Sequence, residues 1–177
     1  MLQELKKLCI RIVQKNGLDE NEFNKLNKAH QNFLEKRQNK YFLKSEYRKL
    51  IKIVLTGGVF DVIHPGHIYT LKQAKSKGDL LIVVVARDET ALKTKKRKPL
   101  FNQNLRLKTV EAIKYVDLVL KGKKDWKRIL KQVNPDIVVF GYDQEIKPLK
   151  NVKIIKLKKF VQYYAKTSKI KKCLDYK

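Results

Sequence analysis

Two histidines three residues apart, His64 and His67, close the segment TGGVFDVIHPGH that runs from Thr56 to His67. Pro65 suits the first position of a helix and Gly66 removes bulk, so both imidazoles can face one pocket across a helix entrance. Ahead of them, the pair Gly57-Gly58 lets the backbone approach a phosphate without interference from Cβ. A helix N-terminus adds unpaired N–H groups and positive dipole density. Together these residues describe chemistry on phosphates: directed hydrogen bonds from two imidazoles over a cradle of backbone amides. A metal centre would want a third ligand nearby, and the only other histidine in the sequence is His30, so no residue is assigned to a metal.

Such a turn needs a strand before it and a helix after it. From Leu50 onward, short β-branched runs alternate with amphipathic stretches, the signature of βαβ units and a parallel sheet. The expected strands cover 52–56, 80–86, 116–120, 136–140 and 152–156, and their near-continuous apolar character suits burial on both faces. Helices are expected over 65–77, 102–115 and 125–133, with a last short one opening at Thr167 or Ser168. The expected fold is α/β, an open five-stranded parallel sheet with helices on both faces. The histidine turn then lies at the carboxyl end of the first strand, where open α/β sheets bind ligands.

Residues 1–49 read as a basic, mostly helical extension, which divides the chain into 1–49 and 50–177. A helix over 2–14 ends at Asn16-Gly17, and Asp19-x-x-Glu22 is a capping-box pattern for a second. The stretch 33–50 can form a small hairpin followed by a helix, like a degenerate wing of a winged-helix domain. The plainer reading is a cap that packs on the main domain or on a partner subunit.

The 177 residues carry 42 Lys+Arg against 17 Asp+Glu, a formal net charge of +25. That surplus attracts nucleic acid, anionic membrane or phosphate-rich small molecules. Lysine is frequent along the whole chain, so many of these cations are ordinary solvated surface. Cys9 and Cys173 are far apart and lack metal-ligand spacing, which excludes a disulfide framework or structural zinc and fits a reducing compartment. The N-terminus lacks the features of a secretory signal, and no segment reaches the roughly 20 apolar residues of a membrane span. The expected location is cytoplasmic, away from membranes.

The residues Gly58, Phe60, Asp61, His64, Gly66 and His67 match the pattern GxFDxxHxGH, and the chain thereby resembles the cytidylyltransferase-like nucleotidyltransferase superfamily. The resemblance extends over about 51–174. Within that superfamily it is similar to the archaeal FAD synthetases, through VVARDET at Val84 to Thr90, Arg97-Lys98-Pro99, the helix entry from Gln103 to Arg106, GYDQ at Gly141 to Gln144, and Thr167-Ser168-x-Ile170. The resemblance implies a Rossmann-like sheet and a reaction joining FMN to the adenylyl group of ATP, with magnesium accompanying the triphosphate and pyrophosphate leaving. It implies a homodimer as well.

The same resemblance assigns roles. His64, His67 and Lys98 would be catalytic. Gly57, Gly58, Val59, Phe60 and Asp61, with the histidines, Arg106, Gly141, Tyr142, Asp143, Thr167 and Ser168, would bind the nucleotide. Arg87, Asp88, Lys95 and Lys98 would bind the acceptor, the last two from a basic loop over 93–98. Arg106 has a competing reading as an exposed helical arginine, and Tyr142 as a cap on the sheet edge. Two other functions stay open: a cytidylyltransferase acting on glycerol phosphate or another polyol phosphate, and a nucleotide-sensing regulator that contacts DNA through residues 1–49.

Overall fold

The chain opens with α1 (Leu2–Lys15), in which Leu5, Leu8, Cys9, Ile12 and Val13 repeat at helical spacing and are buried along one face. Asn16 ends it in the left-handed conformation at φ 56°, and Gly17 follows at φ 92°. A side chain at Gly17 would stand 2.6 Å from the Phe42 ring, so this turn requires glycine twice over. The expected capping box is present: Asp19 accepts from the Glu22 amide at 2.8 Å and Glu22 accepts from the Asp19 amide at 3.2 Å, opening α2 (Glu20–Asn24). Asn27 caps α3 (Lys28–Asn32). The expected hairpin is β1 (Leu34–Arg37) paired antiparallel with β2 (Lys40–Leu43), and α4 (Ser45–Arg48) follows it.

The rest is the α/β unit, a computed structural model that, with the segments above, describes residues 1–146, 148, 149 and 152–158, with the backbone alone at Lys95. Its elements are β3 (Ile53–Gly58), α5 (Pro65–Lys75), β4 (Leu80–Val85), α6 (Asp88–Lys95), α7 (Gln103–Glu111), β5 (Leu118–Lys121), α8 (Trp126–Val133), β6 (Ile137–Phe140) and β7 (Lys153–Lys156). The five strands of this sheet run parallel in the order β5-β4-β3-β6-β7. Strand order reverses between β3 and β6, which opens a crevice at their carboxyl ends.

Two departures from expectation have clear causes. The lysine-rich stretch expected as a loop over 93–98 is helical through Lys95, because Asp88 and Glu89 occupy the first turn of α6 and favour its positive end. Its opening residue is Arg87, not a Ser, Thr, Asn or Asp, so the usual start signal is missing. The third strand of the sheet starts at Leu118 because Asp117, just before it, turns its carboxylate to the Leu81 amide and the Lys75 ammonium.

Both faces of the sheet are covered. Ile53, Leu55, Leu80, Ile82, Leu118 and Val138 point to one apolar cluster, shared with the buried face of α1 and with Ile129 and Val133 of α8. Val54, Leu81, Val83, Val119 and Val139 point to the other, under Leu71 and Ala74 of α5 and Val110 of α7. Residues 1–49 thus contribute to the same core as the sheet. Cys9 lies within it, where burial pushes its thiol up to about 11, so it stays protonated and unreactive at neutral pH. No helix among the described residues is long and apolar enough to cross a membrane.

Candidate active site

β3 delivers the glycine pair to the sheet's carboxyl end. A Cβ on Gly58 would stand 2.9 Å from the Phe60 ring, and one on Gly57 would stand 3.2 Å from the Val84 carbonyl oxygen. Phe60 follows at φ 52°, a left-handed conformation that an aromatic residue adopts only under constraint. That twist drives its ring inward, where it is buried and packs against His67 with centroids 5.2 Å apart. His64 is extended and caps α5, and its carbonyl accepts from the His67 amide at 2.9 Å. The two imidazoles stack at 3.8 Å with planes 25° apart. The two rings lie against each other at the helix entrance, with Phe60 as a wall behind His67.

Asp61 has a more definite task than orienting the turn. Its carboxylate accepts from the amides of Leu100 and Phe101 at 2.7 and 3.2 Å and pairs with Arg97 at 3.3 Å. This fastens the segment 97–101 to the turn that carries the histidines and puts Arg97 against Asp61.

Arg106 overturns the reading of an exposed helical arginine, since it is completely buried. Its Nε donates to the Phe101 carbonyl at 2.9 Å, one terminal nitrogen to the Val59 carbonyl, and the other to the Ala86 carbonyl at 2.8 Å and the Asp88 carboxylate at 2.6 Å. One guanidinium therefore ties three loops: the one after β3, the one after β4 and the entry to α7. Burying a charge is tolerated only with such complete pairing. Asp88 pairs with Arg106 while its side chain stays partly exposed, and Arg87 pairs with Glu89 at 2.9 Å.

Glutamines complete the frame. Gln144 donates to the Gly57 carbonyl at 2.8 Å and accepts from the Gly141 amide at 2.8 Å, locking GYDQ against the glycine pair. Gln103 donates to the Val85 carbonyl at 2.9 Å. Gly141 is buried, Tyr142 partly buried and Asp143 exposed at the mouth of the crevice. Lys95 ends α6 and Lys98 is exposed in the following loop. Thr167 and Ser168 lie outside the described residues, as does Cys173.

The sequence expectation gives Asp61 and Arg106 to the nucleotide and names Gln144 only within GYDQ. Their work as fasteners was not visible, because each bonds to backbone carbonyls or amides that no side-chain pattern announces. Among the described residues no group of three or more His, Cys, Asp and Glu side chains is arranged to hold a metal ion. The geometry suits a reaction that needs positioning and charge stabilisation at phosphates, not a protein nucleophile.

Comparison with known proteins agrees with this geometry. A family model described as cytidylyltransferase-like matches residues 55–176. The FAD synthase of Thermococcus sibiricus is 41% identical over 136 residues, covering 70% of this chain and 91% of that protein. The FAD synthase of Aciduliprofundum boonei is 41% identical over 118 residues, covering 60% and 78%. A crystal structure described as the lipopolysaccharide core biosynthesis protein of Thermoplasma volcanium superposes with a TM-score of 0.59 at 37% identity, covering 62% of this chain and 98% of that one.

Proposed function

This chain belongs to the cytidylyltransferase-like family of nucleotidyltransferases, and from that premise we propose that it adenylylates FMN, making FAD and pyrophosphate from FMN and ATP. The observation that carries the reading is the stacked His64–His67 pair at the carboxyl end of β3, in a chain similar to archaeal FAD synthases.

A phosphate oxygen of FMN attacks the α-phosphorus of ATP in line. The new P–O bond forms as the bond to the oxygen bridging to the β-phosphorus breaks, and that electron pair leaves with pyrophosphate. His64 and His67 donate hydrogen bonds to the triphosphate where charge accumulates. The amides after Gly57 and Gly58, through Val59, Phe60 and Asp61, cradle it. Arg97 and Lys98 draw in the acceptor phosphate, with Arg87 and Lys95 near the same opening. Gly141, Tyr142 and Asp143 meet the base, and Thr167 and Ser168 the outer phosphates. Arg106, Asp88 and Asp61 act by positioning. Magnesium enters as part of the nucleotide substrate, since a triphosphate supplies most of its ligands.

The enzyme works as a cytoplasmic homodimer in this reading, and residues 1–49 are its cap. A concavity of about 1270 Å³ lies between that cap and α8, with Arg37, Lys40, Arg48, Lys49, Arg128 and Lys131 in its lining. It is where nucleic acid would touch the chain. Several of its cations are already engaged in the fold: Arg48 with Asp136, and Lys40 with the Lys15 and Asn16 carbonyls. Those partners weigh against a DNA-sensing role. Equal affinity for random and chosen duplexes, falling steeply with salt, would mark contact by charge alone.

The deciding assay crosses ATP and CTP against FMN, glycerol 3-phosphate and no acceptor, with magnesium, and follows pyrophosphate. Release that needs ATP and FMN is the expected result. Release with CTP and glycerol 3-phosphate alone would move the protein to the polyol phosphate cytidylyltransferases.

A further inference from the structure

Four of the eight large apolar side chains exposed among the described residues fall between positions 92 and 105: Leu92, Leu100, Phe101 and Leu105. All belong to segments that leave the carboxyl end of β4 on the way to β5. Scattered exposed leucines need no explanation. Phe101 does, because of how it is held.

Phe101 is 47% exposed and Leu100 56%, yet their backbone is fixed from both sides. The Leu100 and Phe101 amides donate to Asp61, whose side chain is only 8% exposed, and the Phe101 carbonyl accepts from the fully buried Arg106. Two buried charges on opposite sides of one dipeptide hold an aromatic and an aliphatic side chain out in water. A loop left to itself would fold such side chains inward, since burying apolar surface is favourable. The fastening makes a rigid apolar surface at the rim of the phosphate site, two to four residues along the chain from Arg97 and Lys98.

We propose that Leu100 and Phe101 form the platform on which the flat, apolar ring system of the acceptor rests, while Arg97 and Lys98 take its phosphate. The proposal rests on the FMN reading and deepens it: the segment recognises a phosphate joined to a planar ring. A glycerol or other polyol phosphate has an anion for the cations but nothing for the platform. Acceptor choice therefore resides in two exposed side chains outside the glycine–histidine turn, and Asp61 sets the distance between the platform and the reacting phosphates.

The test compares wild type, Phe101→Ala and Phe101→Tyr by steady-state kinetics on FMN and ATP, FMN fluorescence quenching, melting temperature and sedimentation. The expected result is a KM for FMN and a flavin Kd about tenfold higher in Phe101→Ala, the scale of losing one ring-on-aromatic stack. The KM for ATP and the melting temperature should stay at the wild-type values, and Phe101→Tyr should recover flavin affinity. An unchanged KM for FMN overturns the platform while leaving the FMN reading intact. Equal losses toward ATP and FMN, or conversion of a dimer to a monomer, overturn it in favour of a general packing or subunit contact. Wild-type protein that turns over glycerol 3-phosphate but never FMN overturns the reading on which the platform depends.

Discussion

At the amino ends of the parallel strands, aspartates fasten the sheet to itself, whereas at the carboxyl ends buried charges fasten loops around an opening. Asp79, Asp117 and Asp136 each stand just before a strand, and each accepts from an amide at the start of a neighbouring one: Lys52 just before β3, Leu81 second in β4, and Ile53 first in β3. Each also meets a cation, Lys6, Lys75 and Arg48 in turn. Close by, Leu5, Leu8 and Ile12 of α1 join the apolar cluster on one face of the sheet. At the opposite end Arg106 and Asp61 bind no strand edge. They hold the loops of Val59, Ala86 and Phe101 at fixed separation. The difference teaches where stability and activity should part: a change at the amino end should loosen the fold, and one at the carboxyl end should spoil the reaction first.

The sharpest separation is expected from His67→Ala. Losing one donor aimed at developing charge costs about 100- to 1000-fold in turnover. The melting temperature should move little, because the ring works at the mouth of the site. A collapse in both would break the comparison, since it would make His67 a structural residue on the Phe60 wall.

Arg106→Met tests whether a carboxyl-end fastener can be purely geometric. The variant leaves the Val59, Ala86 and Phe101 carbonyls short of a donor and Asp88 without its cation, a loss of about 3 kcal/mol in stability. Turnover should fall in the protein that remains folded, at temperatures well below its melting point. If folded Arg106→Met kept wild-type turnover, the three loops would not need their shared anchor. Leu5→Ala is the counterpart at the other end. Leu5 is wholly buried on the inner face of α1, next to the Lys6 that pairs with Asp79, so truncation should cost about 2 to 3 kcal/mol by chemical denaturation. The kcat and KM of the folded fraction should match wild type. A drop in kcat would show that the cap reaches the reaction through the sheet.

The two ends were also unequally legible in the sequence. Strand runs such as LLIVVV announce themselves by composition, and the turn from Gly57 to His67 by glycine, proline and histidine in fixed order. The capping box at Asp19 and Glu22 and the hairpin after Phe33 were readable for the same reason: the signal lies within a few residues. α6 was missed because its opening residue, Arg87, is no ordinary cap, and because lysine runs resemble solvated loops. The burial of Arg106 is hidden more deeply. Three of its partners lie 47 positions away at Val59, 20 at Ala86 and 18 at Asp88, and most of its bonds go to backbone carbonyls, which every residue has, so a single distant carboxylate is the only charge signal. The aspartate before each of β4, β5 and β6 is equally hidden, since its partner is an amide that every residue but proline has.

The smallest effect, and the one that isolates a single aspartate at the amino end, is expected from Asp79→Asn. Its carboxyl is held below the ordinary aspartate value of 3.8, chiefly by the hydrogen bond from the Lys52 amide and then by Lys6, against the opposing pull of burial. A lowered folded value means that the unfolded chain takes up its proton first as pH falls. The stability contributed is therefore complete above 3.8 and fades as pH drops through the folded value. The Asp79 side chain is partly exposed, so solvent screening holds the contribution to the order of tenths of a kcal/mol. Asparagine keeps an oxygen for the Lys52 amide but has no charge for Lys6, so wild type and variant should differ in melting temperature near neutral pH and converge in acid. A gap that stayed constant from pH 7 to below 3.8 would mean that shape, not charge, does the fastening at the amino end, and the contrast between the two ends would then rest on packing alone.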